Sequence, residues 1–269
     1  MDVIVRRIEG LEEGVRDALE GMKWRRVISP DDKVLVKPNL LTRPKKGVTT
    51  NPALIAGVVE VLKERTDDVA VVETDSTGRR LEPVARSLDL DCEIINLSKT
   101  EKRRVKGIYG GYVLPGLVLD SRVVNLPVLK THVLTRLTMA LKNLFGLLPQ
   151  KDKEPFHWRI NHVLCDLYGI IKPGINILDA TFVMDGDEPS DGRVREAGYI
   201  VSSRDALALD LAVCGLLGLG REEVGHLEQA ARHFPVDYEV RGMSSISGAS
   251  RCRRWGGLRN LGPCCSTTP

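Results

Sequence analysis

Aromatic residues are scarce in this sequence, which has 4 Phe, 3 Trp and 5 Tyr among its 269 residues. A hydrophobic core must therefore be built from Leu, Val, Ile and Ala, which are typical of buried parallel strands covered by helices. Long hydrophobic runs are also missing, and no stretch reaches the ~20 apolar residues of a membrane-spanning helix. The segment from Met1 to Arg7 is charged and strand-like, unlike the apolar part of a signal peptide. We therefore expect a cytoplasmic protein with no membrane partner.

The six cysteines contain no C-x-x-C spacing, which argues against a zinc knuckle and against an intact ferredoxin motif. Three of them stand singly in apolar segments and are expected to be small buried hydrophobic residues: Cys92, Cys165 and Cys214. The other three lie near the C-terminus: Cys252, Cys264 and Cys265. Two further motif classes are absent. There is no G-x-G-x-x-G or Walker A sequence for a standard dinucleotide or NTP site, and no G-x-S-x-G nucleophile elbow.

The formal charge of +3 is unevenly distributed along the chain. Residues 241–269 contain five arginines and no acidic residue, whereas residues 1–240 contain 34 basic and 36 acidic residues. The near-neutral body gives no electrostatic reason to expect a nucleic-acid partner. We predict one α/β domain over residues 1–240 and a disordered basic tail over residues 241–269.

Strand and helix patterns alternate along the chain, which predicts a mostly parallel, Rossmann-like sheet with helices on both faces. Strands are predicted at 3–5, 33–37, 69–72, 92–97, 122–126, 176–178, 199–202 and 238–240. Helices are predicted at 11–24, from Asn51-Pro52, and at 80–88, 135–146, 157–171, 204–217 and 221–232. Lys99 to Lys106 is interpreted as a solvated connection, and Tyr112 to Leu119 as a hairpin or an extra sheet edge.

Polar residues follow four of the predicted strands. They are Lys37-Pro38-Asn39, then Glu73-Thr74-Asp75-Ser76, then Lys130-Thr131-His132, and finally Asp179. In open α/β sheets, ligands bind beyond the carboxyl ends of the strands. Turn formation and helix capping would explain any single one of these residues, but less readily the whole set. A lysine that ends an apolar strand must reach solvent or meet an anion, which singles out Lys37 and Lys130.

Helix starts and one apolar helix supply further candidates. Thr50 and Asn51 precede a helix, where they can cap it or help its N–H groups to bind an anion. In the predicted helix 135–146, Thr138 and Lys142 are four residues apart and share a face, with Asn143 beside them. Lys142 interrupts an otherwise apolar stretch, so it is either a solvated edge residue or a ligand-facing one.

Histidine and aspartate residues are the candidates for proton transfer. His132 follows Lys130 closely and is interpreted as an acid/base or a ligand, although a lone histidine is usually structural. His157 is preferred over His162 as a second site residue, and two others are interpreted as surface residues, His226 and His233. Asp179 is the candidate base, and either Asp179 or Asp185 is expected to act as a partner of His132 or as a metal ligand. Asp185 is a weak candidate ligand for a divalent metal such as Mg²⁺.

In chain order, the segments Lys37-Pro38-Asn39, Thr50-Asn51-Pro52, Glu73 to Ser76, Leu129 to His132, Ala140 to Gly146 and Leu178-Asp179-Ala180 resemble those of the domain of unknown function 362 family. The resemblance covers residues 1–240, and its most specific parts are Lys-Thr-His and Leu-Lys-Asn-Leu-Phe-Gly. It implies a Rossmann-like domain found in bacteria and archaea. It also implies an association with iron–sulfur clusters, because many members carry two cysteine-rich ferredoxin motifs. This sequence departs from the family there, since it contains no four-cysteine run.

The candidates together favour an enzyme that acts on a small anionic metabolite. The predicted catalytic residues are His132, Lys130 and Asp179. The predicted ligand-binding residues are Lys37, Asn39, Thr50, Asn51, Asp75, Ser76, Thr131, Thr138, Lys142, Asn143 and His157. Two alternatives remain open, an iron–sulfur-associated redox protein and a non-catalytic small-molecule-binding module. The sequence leaves the metal and the oligomeric state unknown.

Overall fold

The computed structural model describes residues 1–132, 134–185 and 193–242, apart from the side chain of Asp185. From residue 243 onward the predicted basic tail lies outside the described residues, and so do three cysteines, Cys252, Cys264 and Cys265. The described strands are β1 (Asp2–Arg7), β2 (Val34–Pro38), β3 (Val69–Glu73), β4 (Glu93–Asn96), β5 (Lys102–Lys106), β6 (Gly111–Pro115), β7 (Arg122–Leu126), β8 (Val128–His132), β9 (Arg136–Thr138), β10 (Ile175–Asp185), β11 (Arg193–Ser203) and β12 (Glu239–Gly242).

The described helices lie mainly between these strands. They are α1 (Leu11–Gly21), α2 (Pro52–Lys63), α3 (Leu81–Ala85), α4 (Gly116–Leu119), α5 (Ala140–Asn143), α6 (Ile160–Ile171), α7 (Ala206–Leu216) and α8 (Gly225–His233). Short 3₁₀ turns cover 24–26, 97–99, 144–147, 154–159 and 221–223. Among the residues that the structure describes, no helix is both long and apolar enough to cross a bilayer.

The main sheet has the order β12-β1-β11-β10-β7-β2-β3-β4 and is mostly parallel. Strand β11 runs antiparallel to both of its neighbours, β1 and β10, so the sheet is mixed rather than purely parallel. The predicted α/β class with a mostly parallel sheet is confirmed, and the Rossmann-like relationship stays a prediction. Strand β8 branches from this order because it pairs with β10 beyond the point where β7 does.

Strand side chains alternate between two separate hydrophobic cores, one on each face of the sheet. Val34 and Val36 point into a core formed with α1 and α2. Leu35, between them, points into the other core, which contains residues of α6, α7 and α8. This period of two is the expected geometry of a strand covered on both faces. Helices therefore cover both faces, as the sequence predicts.

The largest error in the predicted elements concerns residues 128–147. The predicted helix 135–146 is wrong, because 136–138 form β9, which pairs antiparallel with β8, and only 140–143 are α-helical. Thr138 and Lys142 therefore do not share a helix face. The β-prone threonines at 135 and 138 and the positive φ of Arg136 (62°) suit a hairpin, whereas the apolar run that follows suggested a longer helix.

A second error concerns the basic segment before β6. Lys102–Lys106, predicted as part of a solvated connection, is a strand that pairs antiparallel with β6 in a separate two-stranded sheet. Its lysines and arginines are exposed, while Val105 packs against the core. Gly111–Pro115 is accordingly one arm of a hairpin. The other arm, Lys102–Lys106, contains one apolar residue among four charged ones, so it lacks the apolar pattern from which a strand is predicted.

Candidate functional site

A cavity of about 790 Å³ lies where β2 and β3 end, between the β8–β9 hairpin and the segment 151–157. Its volume is in the range of small-molecule sites. Predicted site residues that line it are Lys37, Asn39, Ser76, Lys130, His132, Thr138, Lys142, Asn143 and His157. Further lining residues include Glu73, Arg79, Phe145, Gly146, Lys151, Asp152, Lys153 and Glu154.

The β8–β9 hairpin delivers three of these side chains. Lys130 and His132 are two residues apart on β8 and therefore point to the same side, toward the cavity. Thr138 is the direct cross-strand partner of Lys130. Thr131 points to the opposite side and does not line the cavity, although its sequence neighbours do. Strand alternation thus separates residues that the sequence placed in one group.

Lys37 forms a buried ion pair with Glu73. Their side chains are 1% and 5% exposed, and Lys37 Nζ lies 3.0 Å from Glu73 Oε2. Lys37 Nζ also donates to the carbonyl of Pro38, and Glu73 Oε1 accepts the N–H of Thr74. Burial lowers the pKa of Lys37 although Glu73 opposes it. Burial alone would raise the pKa of Glu73, but the cations around it, above all Lys37, hold it below its ordinary value.

Gly146 permits this ion pair to form. A Cβ atom at residue 146 would lie 2.7 Å from Lys37 Nζ and 3.1 Å from Glu73 Oε1. We therefore expect Gly146→Ala to displace the pair and to lower the free energy of unfolding by about 1–3 kcal/mol, the usual cost of overpacking. Chemical denaturation measures this change.

Gly215→Ala is the matched control for this prediction. Gly215 lies in α7, and a Cβ atom there would meet nothing within 4 Å. Alanine should leave stability unchanged or raise it, because it has the higher helix propensity. Equal destabilisation by both substitutions would contradict the role given to Gly146.

Besides Lys37, three other lysines around the cavity have lowered pKa values. Burial, with a smaller effect from Lys142, lowers the pKa of Lys130 to about 7. Burial lowers the pKa of Lys142 to about 8, and burial likewise lowers that of Lys153 to about 8 although Glu73 opposes it. All three amines therefore change their charge close to neutral pH. An anion that enters the cavity would favour their protonated forms.

Lys142 and Lys153 differ in their contacts. Lys142 is half-buried, its Nζ lies 5.2 Å from the centre of the Phe145 ring, and within the described part of the chain it makes no hydrogen bond or ion pair. Lys153 Nζ donates to Thr74 Oγ1 at 2.7 Å, and Lys130 Nζ donates to the carbonyl of Val48 at 3.0 Å. Lys142 thus presents an amine to the cavity without competition from a neighbouring acceptor.

Arg79, Lys151 and Lys153 line the cavity but were not among the predicted site residues. Arg79 donates to the carbonyl of Thr74 at 2.6 Å and to Ser76 Oγ at 3.2 Å, which ties the turn after β3 to the cavity. Lys151 and Lys153 belong to a charged loop that the sequence does not distinguish from a solvated one. Their place in the site depends on a backbone path that sequence patterns do not record.

The histidines lie at different depths around the site. His132 Nδ1 accepts the N–H of Leu134 at 3.1 Å, so the proton of the neutral ring is on Nε2. Burial, assisted by Lys142 and Lys130, lowers the pKa of His132 to about 3. His157 is exposed, stacks on Phe145, and has a pKa lowered chiefly by burial and by Lys142. An anion in the cavity would offset the charges of the neighbouring lysines, and so would reverse the part of these pKa changes that the lysines cause.

The prediction that His226 is a surface residue is wrong. Its side chain is 0% exposed, and neither ring nitrogen has a hydrogen-bond partner among the described residues. Burial and the charge of Lys142 lower its pKa to about 3. It is buried because α8 packs against α6 and α7, and His226 and Ala230, four residues apart, face inward together. His233 is exposed, as predicted.

Asn143 lines the cavity and is also fixed by a buried amide network. Its Nδ2 donates to the carbonyl of Lys37 at 3.0 Å and to Asn125 Oδ1 at 2.8 Å. Asn125 in turn donates to Asn176 Oδ1 at 3.1 Å. The network connects α5 to the ends of β2 and β7 and to the start of β10. It holds Lys142, the preceding residue, in a defined position relative to the sheet.

Asp210 is a further buried residue that the sequence analysis missed. Its two carboxylate oxygens accept the N–H groups of Ala140 and Leu141, at 2.8 and 2.9 Å, where α5 begins. Burial raises its pKa to about 7, against the effect of these two hydrogen bonds. Asp210 lies within an apolar helix, and its two partners are about 70 residues away in the chain, so the sequence alone does not show that it caps α5.

The remaining candidates lie away from the main cavity. Thr50 donates to the carbonyl of Leu126, and Asp75 accepts the N–H of Leu81 and the Asn96 amide, so both have structural contacts. Asn51 caps α2, and its own N–H donates to Asp179 Oδ2 at 2.8 Å. Both Asn51 and Asp179 line a second, smaller cavity of about 180 Å³. Asp179 is thus not placed beside His132.

Burial raises the pKa of Asp179, against hydrogen bonds from Thr181 and Asn51. Its oxygens already accept three donors, one from Asn51 and two from Thr181. No group of three or more His, Cys, Asp or Glu side chains suited to a metal ion occurs in the described ranges. The side chain of Asp185, the weak metal candidate, lies outside what is described.

Comparisons with known proteins give the following matches. The family model described as "Domain of unknown function (DUF362)" matches residues 34–215. A thylakoid-associated protein of Synechocystis sp. is 30% identical over 210 residues, which are 71% of this chain and 65% of that protein. This chain thus spans just under two thirds of its relative. A crystal structure of a Thermotoga maritima protein gives a TM-score of 0.40 at 14% identity, over 69% of this chain and 54% of that chain.

Proposed function

Since the chain belongs to the family of unknown function DUF362, whose name states no activity, we propose from the cavity that it is an enzyme that binds a small anionic metabolite. One observation carries this proposal. Six basic side chains line the cavity against three acidic ones, and one of those acids, Glu73, is already paired with Lys37. A carboxylate or phosphate would supply the missing negative charge.

The placement of the cations supports a site that recognises two parts of one ligand. Lys130 and Lys142 lie on the hairpin side, with Lys142 lowering the pKa of Lys130. Lys153 and Arg79 lie near the turn after β3 and both contact Thr74. A ligand with one anionic group and a second polar group would meet both clusters. His132 Nε2–H and Thr138 Oγ1, which has no partner among the described residues, supply polar contacts between them.

The role of an acid/base is assigned to His132 within this proposal. In the absence of an anion its pKa of about 3 keeps the ring neutral. A bound anion beside Lys130 and Lys142 would offset their charges and raise the pKa of His132 toward its ordinary range. Preorganised cations would stabilise negative charge as it develops on the substrate.

A thermal-shift titration with sulfate and with oxalate tests the proposal. Each anion should raise the melting temperature in a saturable manner, since a ligand that binds the native state stabilises it. Lys142→Met should weaken the apparent affinity at least tenfold, because it removes the cation and keeps the shape of the side chain. Lys102→Met, on the exposed face of β5, should retain wild-type affinity. Absence of any saturable shift, or equal losses in both variants, would refute the anion site.

A further inference from the structure

Lys142 occupies a chemical position that differs from those of the other lysines that are buried or half-buried in the cavity wall, whereas Lys151 is exposed. Lys37 is paired with Glu73, Lys130 donates to the carbonyl of Val48, and Lys153 donates to Thr74 Oγ1. Lys142 has no hydrogen bond or ion pair in the part of the chain that the structure describes, and it faces the cavity beside Phe145. Its amine is therefore accessible to a ligand without first breaking an internal contact.

The surroundings of Lys142 also favour the unprotonated amine. Burial is the cause that lowers its pKa to about 8, and two further lysines, Lys130 and Lys153, are near enough for the charge of Lys142 to lower their pKa values. About a tenth of the amine is then a free base at pH 7, far more than for a lysine with the ordinary pKa of about 10.4. Desolvation of a lysine near other cations is one of the ways in which proteins turn the amine into a nucleophile.

We propose that Lys142 Nζ is a nucleophile that forms an imine with the carbonyl carbon of a small oxoacid or anionic aldehyde. This proposal rests on the proposed anion site and names its substrate class. The acidic group of the ligand would contact Lys130, Lys153 or Arg79, which line the same cavity. The carbonyl would then face Lys142. An anionic carbonyl compound accounts at once for the surplus of cations and for a half-buried lysine that makes no hydrogen bond or ion pair with the described residues.

The bond changes balance without an oxidant or a reductant. The lone pair of the amine forms the new C–N bond, and the π electrons of the C=O bond move to oxygen, which takes up a proton to give a carbinolamine. The nitrogen then loses a proton, the hydroxyl group is protonated and leaves as water, and a C=N bond forms. His132, whose Nε2 carries the ring proton, and Thr138, whose hydroxyl has no partner among the described residues, line the cavity and can relay these protons.

Reductive trapping of the full-length protein tests the proposal. The protein is incubated with pyruvate or glyoxylate and cyanoborohydride, and the reduced adduct is located by peptide mass spectrometry. We expect one adduct, on Lys142, at least tenfold above any other lysine. Lys142→Arg, which keeps the charge but cannot form the imine, should abolish it, and Lys102→Arg should not. In the wild-type protein, sulfate should protect Lys142 from trapping, which requires no variant to fold.

The outcomes separate this proposal from the one on which it rests. If sulfate shifts the melting temperature but no oxoacid is trapped at Lys142, the imine is refuted and the anion site stands. Trapping at Lys130 or Lys153 instead, or labelling spread evenly over surface lysines, also refutes the assignment to Lys142. If neither sulfate nor an oxoacid shifts the melting temperature, the anion site itself fails.

Discussion

Replacement of Glu73 by glutamine is expected to lower the free energy of unfolding by about 3–5 kcal/mol, the range for breaking a buried ion pair from one side. With glutamine at residue 73, the buried ammonium group of Lys37 loses its negatively charged partner and keeps its hydrogen bond to the carbonyl of Pro38. Urea denaturation at pH 7 measures the loss. The loss should shrink as pH rises, because Lys37 can then fold as a neutral amine.

A double-mutant cycle separates the contribution of the ion pair to stability from the contributions of its two residues. The double variant Lys37→Met, Glu73→Gln removes both charges and should be destabilised by less than the sum of the two single variants. A surface pair is the control: Lys33 and Asp68 lie 2.7 Å apart, at 33% and 56% exposure. Asp68→Asn should cost about 0–1 kcal/mol. A loss at Glu73 no larger than that at Asp68 would show that the buried pair contributes nothing special.

Anion affinity should fall steeply as pH rises above 7. Anion binding favours protonated Lys130, Lys142 and Lys153, whose pKa values without ligand are about 7, 8 and 8. Above its pKa, each lysine that must be protonated to bind costs about tenfold in affinity per pH unit. Between pH 6 and pH 9 we therefore expect a loss of at least about 100-fold. Calorimetric titration with sulfate, which does not itself titrate in this range, measures it.

The stability of the ligand-free protein should move in the opposite direction. A lysine whose pKa is lower in the folded than in the unfolded chain opposes folding when it is charged. That penalty is complete below about pH 7 and is relieved as pH rises toward the unfolded value near 10.4. The contribution of these lysines to stability therefore increases over this window while the affinity for anions decreases. If ligand-free stability and anion affinity changed in the same direction with pH, the lysines would not be the responsible groups.

The strands of the sheet centre were predictable from sequence because each carries a short apolar run with a clear end. Lys37 and Lys130 were selected for the same reason, since a lysine within such a run requires an explanation. The β8–β9 hairpin was not predictable, because the residues after Thr138 form an apolar run that fits a helix equally well. Periodicity alone does not separate these two readings of a short apolar segment.

The partners of the site residues were the least predictable feature. Glu73 lies 36 residues from Lys37 in the chain, and their contact depends on the parallel pairing of β2 with β3. Asp179 was expected beside His132, but β10 places it near Asn51, at the second cavity. Chemical type indicated which residues need a partner, whereas strand order decided which partner each one has.

Two consecutive strands, β7 and β8, share one edge of β10, with Pro127 between them. The carbonyl of Pro127 accepts the N–H of Asp179, so the joint itself is fixed to the sheet. Lys130 and His132 therefore lie on a strand whose register the rest of the sheet sets. Insertion or deletion of one residue between Leu126 and Lys130 would turn both side chains away from the cavity. A change of one residue in the length of β8 would therefore remove Lys130 and His132 from the cavity together, whereas a substitution could change either one alone.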